Sequence, residues 1–133
     1  MATQYSVAAR TSQMSQLNTT IGINAQIIVY SGAAPANVGT AASGTLLVQF
    51  AGNATAFGTA TSAVLTASAV AGVNAAAAGT AGYYRINTSG GVAVTQGTVT
   101  LSGGGGDMIV SNTNIASGQN CPFNSLTITA FGV

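Results

Sequence analysis

IIVYSGAAPANVGTAASGTLLVQF, residues 27–50, consists of two apolar runs joined by a segment of small residues. In the first run, Ile27 and Val29 fall on one face of a strand and Ile28 and Tyr30 fall on the other, because side chains alternate along a strand. The joining segment contains a proline, which cannot take part in a central β-ladder. The stretch therefore predicts a strand, a long loop and a second strand.

Formal charge is almost absent from the chain. Of 133 residues, only Arg10, Arg85 and Asp107 are charged, which is 2% of the chain, whereas an ordinary soluble domain has about 25%. Disorder is a poor explanation, since disordered chains lack β-branched residues and usually carry high net charge. A net charge of +1 gives little repulsion between copies. We therefore expect other subunits to cover much of the surface.

The composition also excludes several classes of partner. Two arginines cannot neutralise a row of phosphates, so we expect no nucleic-acid binding. There is no basic cluster for an anionic membrane and no run of about 18 apolar residues for a transmembrane helix. The N-terminus lacks the basic start and apolar middle of a signal peptide, which predicts synthesis in the cytoplasm.

Catalytic chemistry has few candidate residues. The sequence has no His, no Lys, one Cys and one Asp. It therefore lacks the residues that a metal cluster, an acid–base pair or an activated nucleophile requires. We therefore expect no enzymatic activity, no metal and no cofactor. Cys121 cannot form an internal disulfide. It is expected to be a buried thiol at a strand entry, with a reactive or intersubunit thiol as the alternative.

One segment favours a helix. From about Val7 to Ile21, Met14, Leu17 and Ile21 fall at helical spacing on one face. The two threonines at 19 and 20 predict an early end. We expect a short helix packed on the edge of a sheet.

Short strands dominate the rest of the chain. Glycine, asparagine or serine bounds each of seven or eight strand-like segments, a pattern typical of a β-sandwich or jelly roll. GVAVTQGTVTLSG, residues 91–103, is predicted as two short halves joined at Gln96 and Gly97, and the alanine-rich residues 67–82 as a loop or extended connection. The other predicted strands are AQIIVYS (25–31), GTLLVQFAG (44–52), TSAVLTAS (61–68), GTAGYYRINT (79–88), DMIVSN (107–112) and SLTITAFGV (125–133).

The fold class is thus predicted to be all-β, with one β-sandwich or jelly-roll-like domain. A short N-terminal arm and a possible short helix occupy residues 1–21, and the β-domain occupies residues 22–133. A chain of this length can bury roughly two thirds of its unfolded surface around one core.

A glycine-rich segment, SGGGGDM, residues 102–108, resembles a phosphate loop only superficially. It has no lysine and leads into a strand rather than a helix. We interpret it as a hairpin connection in which the carboxylate of Asp107 accepts nearby backbone N–H groups.

Arg85 follows two tyrosines within a predicted strand, whose alternation places Tyr83, Arg85 and Asn87 on one face and Tyr84 and Ile86 on the other. Its stem could pack on a neighbour with the head in water, or it could anchor a subunit interface. A salt bridge to Asp107 would fit both interpretations. The N-terminal MATQYSVAAR is either a frayed tail or an arm laid across a neighbouring subunit. The predicted contact residues are Tyr5, Arg10, Tyr83, Tyr84 and Arg85.

Four segments together resemble small virion proteins of tailed bacteriophages. INAQIIVYSGAAPANVGTAASGTLLVQF resembles the opening of that family, AAAAGTAGYYRINTSGG its central strand, and VTQGTVT and IASGQNCPFNSLTITAF its closing strands; the likeness covers residues 22–131. The resemblance implies an all-β structural component of the virion without enzymatic activity. A capsid decoration (cement) protein fits best: such a protein, often a homotrimer, binds the major capsid protein on the outer capsid lattice and stabilises the head.

Three other classes share parts of this pattern. A phage tail or fibre component would have the same fold and composition. A pilin-like surface-fibre subunit would donate a strand to its neighbour, but the signal peptide and cysteine pair are missing. An ice-binding protein would present rows of threonine, and only TVTL and LTIT do so.

Overall fold

The computed structural model describes residues 3–51 and 57–131. The ends of two predicted strands, residue 52 and residues 132–133, lie outside the described residues. The described part contains one helix and ten strands: α1 (Val7–Ile21), β1 (Gln26–Ser31), β2 (Leu46–Phe50), β3 (Val64–Thr66), β4 (Val73–Asn74), β5 (Gly79–Asn87), β6 (Ala93–Thr100), β7 (Met108–Ile109), β8 (Asn114–Ile115), β9 (Asn120–Cys121) and β10 (Ser125–Thr129).

The helix begins and ends with ordinary capping contacts. The hydroxyl of Ser6 accepts a hydrogen bond from the N–H of Ala9 at 3.1 Å, which satisfies one of the unpaired donors of the first turn. Gly22, with φ of 75°, ends the helix and donates its N–H to the carbonyl of Asn18. The buried Met14 and Ile21 confirm the predicted apolar face.

The predicted early end of this helix is wrong. Thr19 and Thr20 both lie within α1. Their hydroxyls donate to the carbonyls of Ser15 at 3.1 Å and Gln16 at 3.0 Å, four residues earlier. Each hydroxyl is thus satisfied within the helix, an arrangement that a helix tolerates at a small cost.

Most strands form one sheet in the order β2-β1-β5-β6-β7-β10-β3, with β8 pairing beside β5. β4 and β9 form a separate two-stranded sheet. The pairs are antiparallel except for β6 and β7, which are parallel. The described part of the chain is therefore mostly β with one helix, which is compatible with the predicted all-β class and with a sandwich.

Two predictions about β6 and the segment after it are wrong. β6 is continuous from Ala93 to Thr100 rather than divided at Gly97, because Gly97 pairs with Tyr84 in the ladder with β5. The glycine-rich connection is not a hairpin, since β7 runs parallel to β6. Gly104 and Gly106 lie so close to Thr100 that a Cβ at either would approach its side chain to within 3 Å.

The two faces of the sheet have different roles. Ile27 pairs with Ile86, and Val29 with Tyr84, and all four belong to the buried apolar core. The opposite face, called the outer face here, carries Tyr30, Tyr83 and Arg85 by the same alternation. The predicted division of these strands into two faces is confirmed.

The alanine-rich middle is extended or irregular, as predicted. Its regular elements are the two-residue strand β4 at Val73–Asn74 and the start of β5 at Gly79. In the described part of the chain, no helix has the length and apolar character needed to cross a membrane.

Candidate functional site

The five predicted contact residues do not form one cluster. Tyr83, Tyr84 and Arg85 lie on β5 and are only 1%, 1% and 4% exposed. Arg10 is half-buried and lies within α1, not in the arm. Tyr5, 44% exposed, precedes the helix. Their contacts with another chain stay a prediction.

Arg85 holds the loop between β1 and β2, residues 32–45, onto the outer face. Its Nη1 donates to the carbonyl of Thr40 at 2.9 Å, and its Nη2 donates to Oε1 of Gln96 at 2.8 Å. Gln96 then donates its Nε2 to the carbonyl of Pro35 at 2.8 Å. Two points of the β1–β2 loop are thus fixed to adjacent residues of β5 and β6.

Tyr83 fixes a third point of the same loop. Its hydroxyl donates to the carbonyl of Ser43 at 2.7 Å and accepts the N–H of Ser43 at 3.0 Å. Its ring stacks on that of Tyr30, with ring centroids 5.1 Å apart. The loop therefore covers the polar atoms of the outer face with a neutral surface of small residues.

The Arg85 head is neither in water nor in a salt bridge. Among the described residues, its acceptors are one carbonyl and one amide oxygen, and its buried Nε has no hydrogen-bond partner. Asp107 accepts instead from Tyr84, whose side chain lies on the opposite face of β5. The suggested Arg85–Asp107 pair is therefore wrong. A buried charge compensated only by neutral dipoles costs free energy, so the loop contacts have to be closely formed.

A second polar contact lies on the core side of the sheet, where Tyr84 meets Asp107 beside Gly97. The Tyr84 hydroxyl donates to Oδ2 of Asp107 at 3.3 Å. Burial, and then the negative charge of Asp107, raise the pKa of Tyr84 above its ordinary value. The expected turn role of the carboxylate is therefore replaced by an interaction with a side chain from a distant strand.

A gap opens between β6 and β10. β7 pairs with both strands, but only at Val99 and Thr100 of β6 and at Ser125 and Leu126 of β10. Beyond the start of β7 lies a groove of about 460 Å³. Its lining is mainly apolar and has no charged residue: Gln13, Met14, Leu17, Val94, Thr95, Ile128, Thr129 and Phe131.

Cys121 is a buried thiol, as expected, although it is the last residue of β9 rather than the entry to a strand. Burial raises its pKa. It lines a cavity of about 20 Å³ with Phe50 and Ile115. Within residues 3–51 and 57–131, no group of three or more His, Cys, Asp or Glu could hold a metal ion.

No family model, curated protein or solved structure matches this chain.

Sequence reasoning missed the partners of the singled-out residues. Gln96 faces Arg85 in the β5–β6 ladder, so a correct register for that hairpin would have identified it. Thr40 and Pro35 had no signal beyond their place in a loop. The groove residues Val94 and Phe131 could not be found, because the gap depends on where three strands stop pairing.

Proposed function

We propose that this chain is a non-enzymatic structural protein of a tailed-phage virion, a capsid decoration (cement) protein. As a homotrimer it binds the major capsid protein on the outer lattice and stabilises the head. Its domain is a β-sandwich of the jelly-roll type. The resemblance of residues 22–131 to small virion proteins motivates the family, and the surface chemistry supports the role.

The observation that carries the proposal is the neutral loop held over the outer face. Arg85, Gln96 and Tyr83 use their polar groups within the chain, so what remains outside is a surface of small neutral residues. Charged residues are depleted at the centres of protein interfaces, where shape and packing dominate. A rigid neutral surface suits a permanent contact in a lattice.

The titratable side chains support a non-enzymatic role. Burial and Asp107 raise the pKa of Tyr84, so its phenol stays protonated near neutral pH. Burial also raises the pKa of Cys121, whereas a nucleophilic cysteine needs a lowered pKa and access to solvent.

The test is the copy number and location of the chain in purified particles of its source, by quantitative mass spectrometry and electron cryomicroscopy at subunit resolution. We expect hundreds of copies at symmetry-related positions on the head. A few copies confined to the tail would overturn the decoration role in favour of a tail or fibre component. Absence from particles would overturn the virion assignment altogether.

A further inference from the structure

We propose that the gap between β6 and β10 receives the N-terminal arm, residues 3–6, of a second copy of this chain as an added β-strand. The inference is independent of where the chain acts, because it rests on geometry within the chain. The strand addition is supported by the unpaired backbone groups that border the gap, by the width and lining of the gap, and by the length and exposure of the arm.

Backbone groups of both bordering strands point into the gap. On β6, the carbonyl of Thr100 accepts from Val110 beside β7, so by alternation the N–H and C=O of Gln96 face the same side. On β10, the N–H of Thr127 donates to the carbonyl of Asp107, so the N–H and C=O of Thr129 face the gap from the other side. Within the described residues, neither Gln96 nor Thr129 has a strand partner on that side.

Where it begins, at β7, the gap has the width of one strand. β7 lies between β6 and β10 and pairs with both, which places those two strands roughly 10 Å apart, twice the spacing of neighbouring strands. An extended segment entering the gap would continue the line of β7 and meet both rows of backbone groups. Strand addition of this kind gains main-chain hydrogen bonds from the edge and specificity from the side-chain pockets.

The described arm residues are long enough to run along the gap, and they share its polarity. Residues 3–6 span about 13 Å when extended, as do the four β6 residues from Val94 to Gly97 that border the gap. Neither the arm nor the groove lining contains a charged residue. Tyr5 supplies an apolar ring for the pocket formed by Met14, Leu17 and Phe131.

The arm does not fill the gap of its own chain. Residues 3–6 are all exposed and form no strand, and Phe131 at the edge of the groove is 79% exposed. An arm given to one neighbour and a gap filled by another make a head-to-tail contact, which closes into a ring when the rotation permits. In a ring of three copies, every arm would occupy the gap of a neighbour and no gap would stay empty.

The experiment compares the oligomeric state of the purified full chain with that of two variants by sedimentation velocity. One variant lacks residues 2–5 but keeps Ser6, which caps α1. The other is Thr129→Lys, at an exposed position in the groove lining, because an edge lysine disfavours strand addition. We expect the full chain to sediment at a multiple of its 12.9 kDa mass and both variants as folded monomers. Val92→Lys, at an exposed position outside the groove lining, is the matched control and should assemble like the full chain.

A peptide of residues 1–7, acetylated and amidated, gives a second readout on the arm-deleted protein. It should bind and slow hydrogen exchange at the amides of Gln96 and Thr129, and the same peptide with Gln4→Pro should do neither. A monomeric full chain, assembly that survives the arm deletion, or a peptide that protects neither amide would overturn the proposal. Protection of these amides in a monomeric full chain would also overturn it, because the arm would then occupy its own gap.

Discussion

At the scale of single residues, Gly97 shows why the sheet tolerates a glycine in the middle of a strand. A Cβ at this position would lie 2.6 Å from Oδ2 of Asp107 and 2.7 Å from the hydroxyl oxygen of Tyr84. Tyr84 is buried in the centre of the sheet and cannot move away. The missing side chain is therefore what permits the contact between Tyr84 and Asp107.

Replacing Gly97 by alanine should destabilise the fold. We expect Gly97→Ala to lower the free energy of unfolding by about 1–3 kcal/mol, the usual range for overpacking, measured by denaturant unfolding. Gly90→Ala is the matched control, because its Cβ would meet only the Thr88 hydroxyl at 3.8 Å; it should change stability by less than about 0.5 kcal/mol. Equal effects of the two substitutions would contradict the crowding argument.

Tyr84 also makes stability depend on alkaline pH. Its pKa is raised in the folded chain, whereas the phenol of the unfolded chain ionises near pH 10. Above that pH the folded state therefore binds more protons than the unfolded state. The stabilisation is complete below about pH 10 and is lost as pH rises towards the folded pKa, by up to about 1.4 kcal/mol per pH unit.

The measurement is denaturant unfolding of the natural chain and Tyr84→Phe between pH 9 and pH 11.5. At neutral pH the variant should lose about 1 kcal/mol with its hydrogen bond, and its stability should fall less steeply at high pH. Tyr30 and Cys121, whose pKa values burial also raises, are present in both proteins and cancel in the comparison. Parallel curves would contradict the assignment to Tyr84.

At the scale of elements, the β1–β2 loop behaves as part of the sheet rather than as a free connection. Three side chains from β5 and β6 bind its backbone at Pro35, Thr40 and Ser43. Gln96 links two of these points, because it accepts from Arg85 and donates to Pro35. The side-chain amide of Gln96 thus links the Arg85 guanidinium to the loop at Pro35.

Removing that amide should loosen the loop without unfolding the sheet. We expect Gln96→Ala to lower stability by about 1–3 kcal/mol, since a buried charge loses a partner, and to speed hydrogen exchange of the amides of Thr40 and Ser43. Gln49→Ala is the control, because Gln49 is exposed on β2 and faces the same side of the sheet. Similar exchange rates in both variants would show that Gln96 does not hold the loop.

The elements also show what local sequence could predict. The alternation around Ile28 and around Arg85, and the helical spacing of Met14, Leu17 and Ile21, are local patterns, and each matched an observed element. The parallel pairing of β7 and the continuity of β6 depend on contacts between distant residues. Local patterns therefore predicted most elements but not their arrangement.

The candidate sites were less predictable than the fold. Arg85 was conspicuous in an almost uncharged sequence, but one of its acceptors, the carbonyl of Thr40, lies in a loop 45 residues earlier. The groove is lined by three separate segments of chain, and no short motif encodes such a gap. The scarcity of charged residues identified Arg85 as a candidate, whereas the register of the sheet determined its hydrogen-bond partners.

At the scale of the whole molecule, the three charged residues are separated. Arg10 lies on the helix, Arg85 lies beneath the loop on the outer face, and Asp107 lies at the start of β7 on the core side. The structure describes no ion pair between them, so packing and hydrogen bonds, a few of them made by Arg85 and Asp107, hold the described part of the chain together. The same scarcity leaves the surface with little to repel a second copy.

The burial of Arg85 has a consequence for proteolysis. Trypsin cleaves after lysine and arginine, and this chain offers only Arg10 and Arg85. Arg85 lies in the middle of a central strand, beneath a loop bound to its own side chain, so a protease can reach the following bond only when the sheet itself opens. The rate of cleavage after Arg85 therefore reports on global unfolding of the sheet. The rate of cleavage after Arg10 reports on fraying of the helix alone.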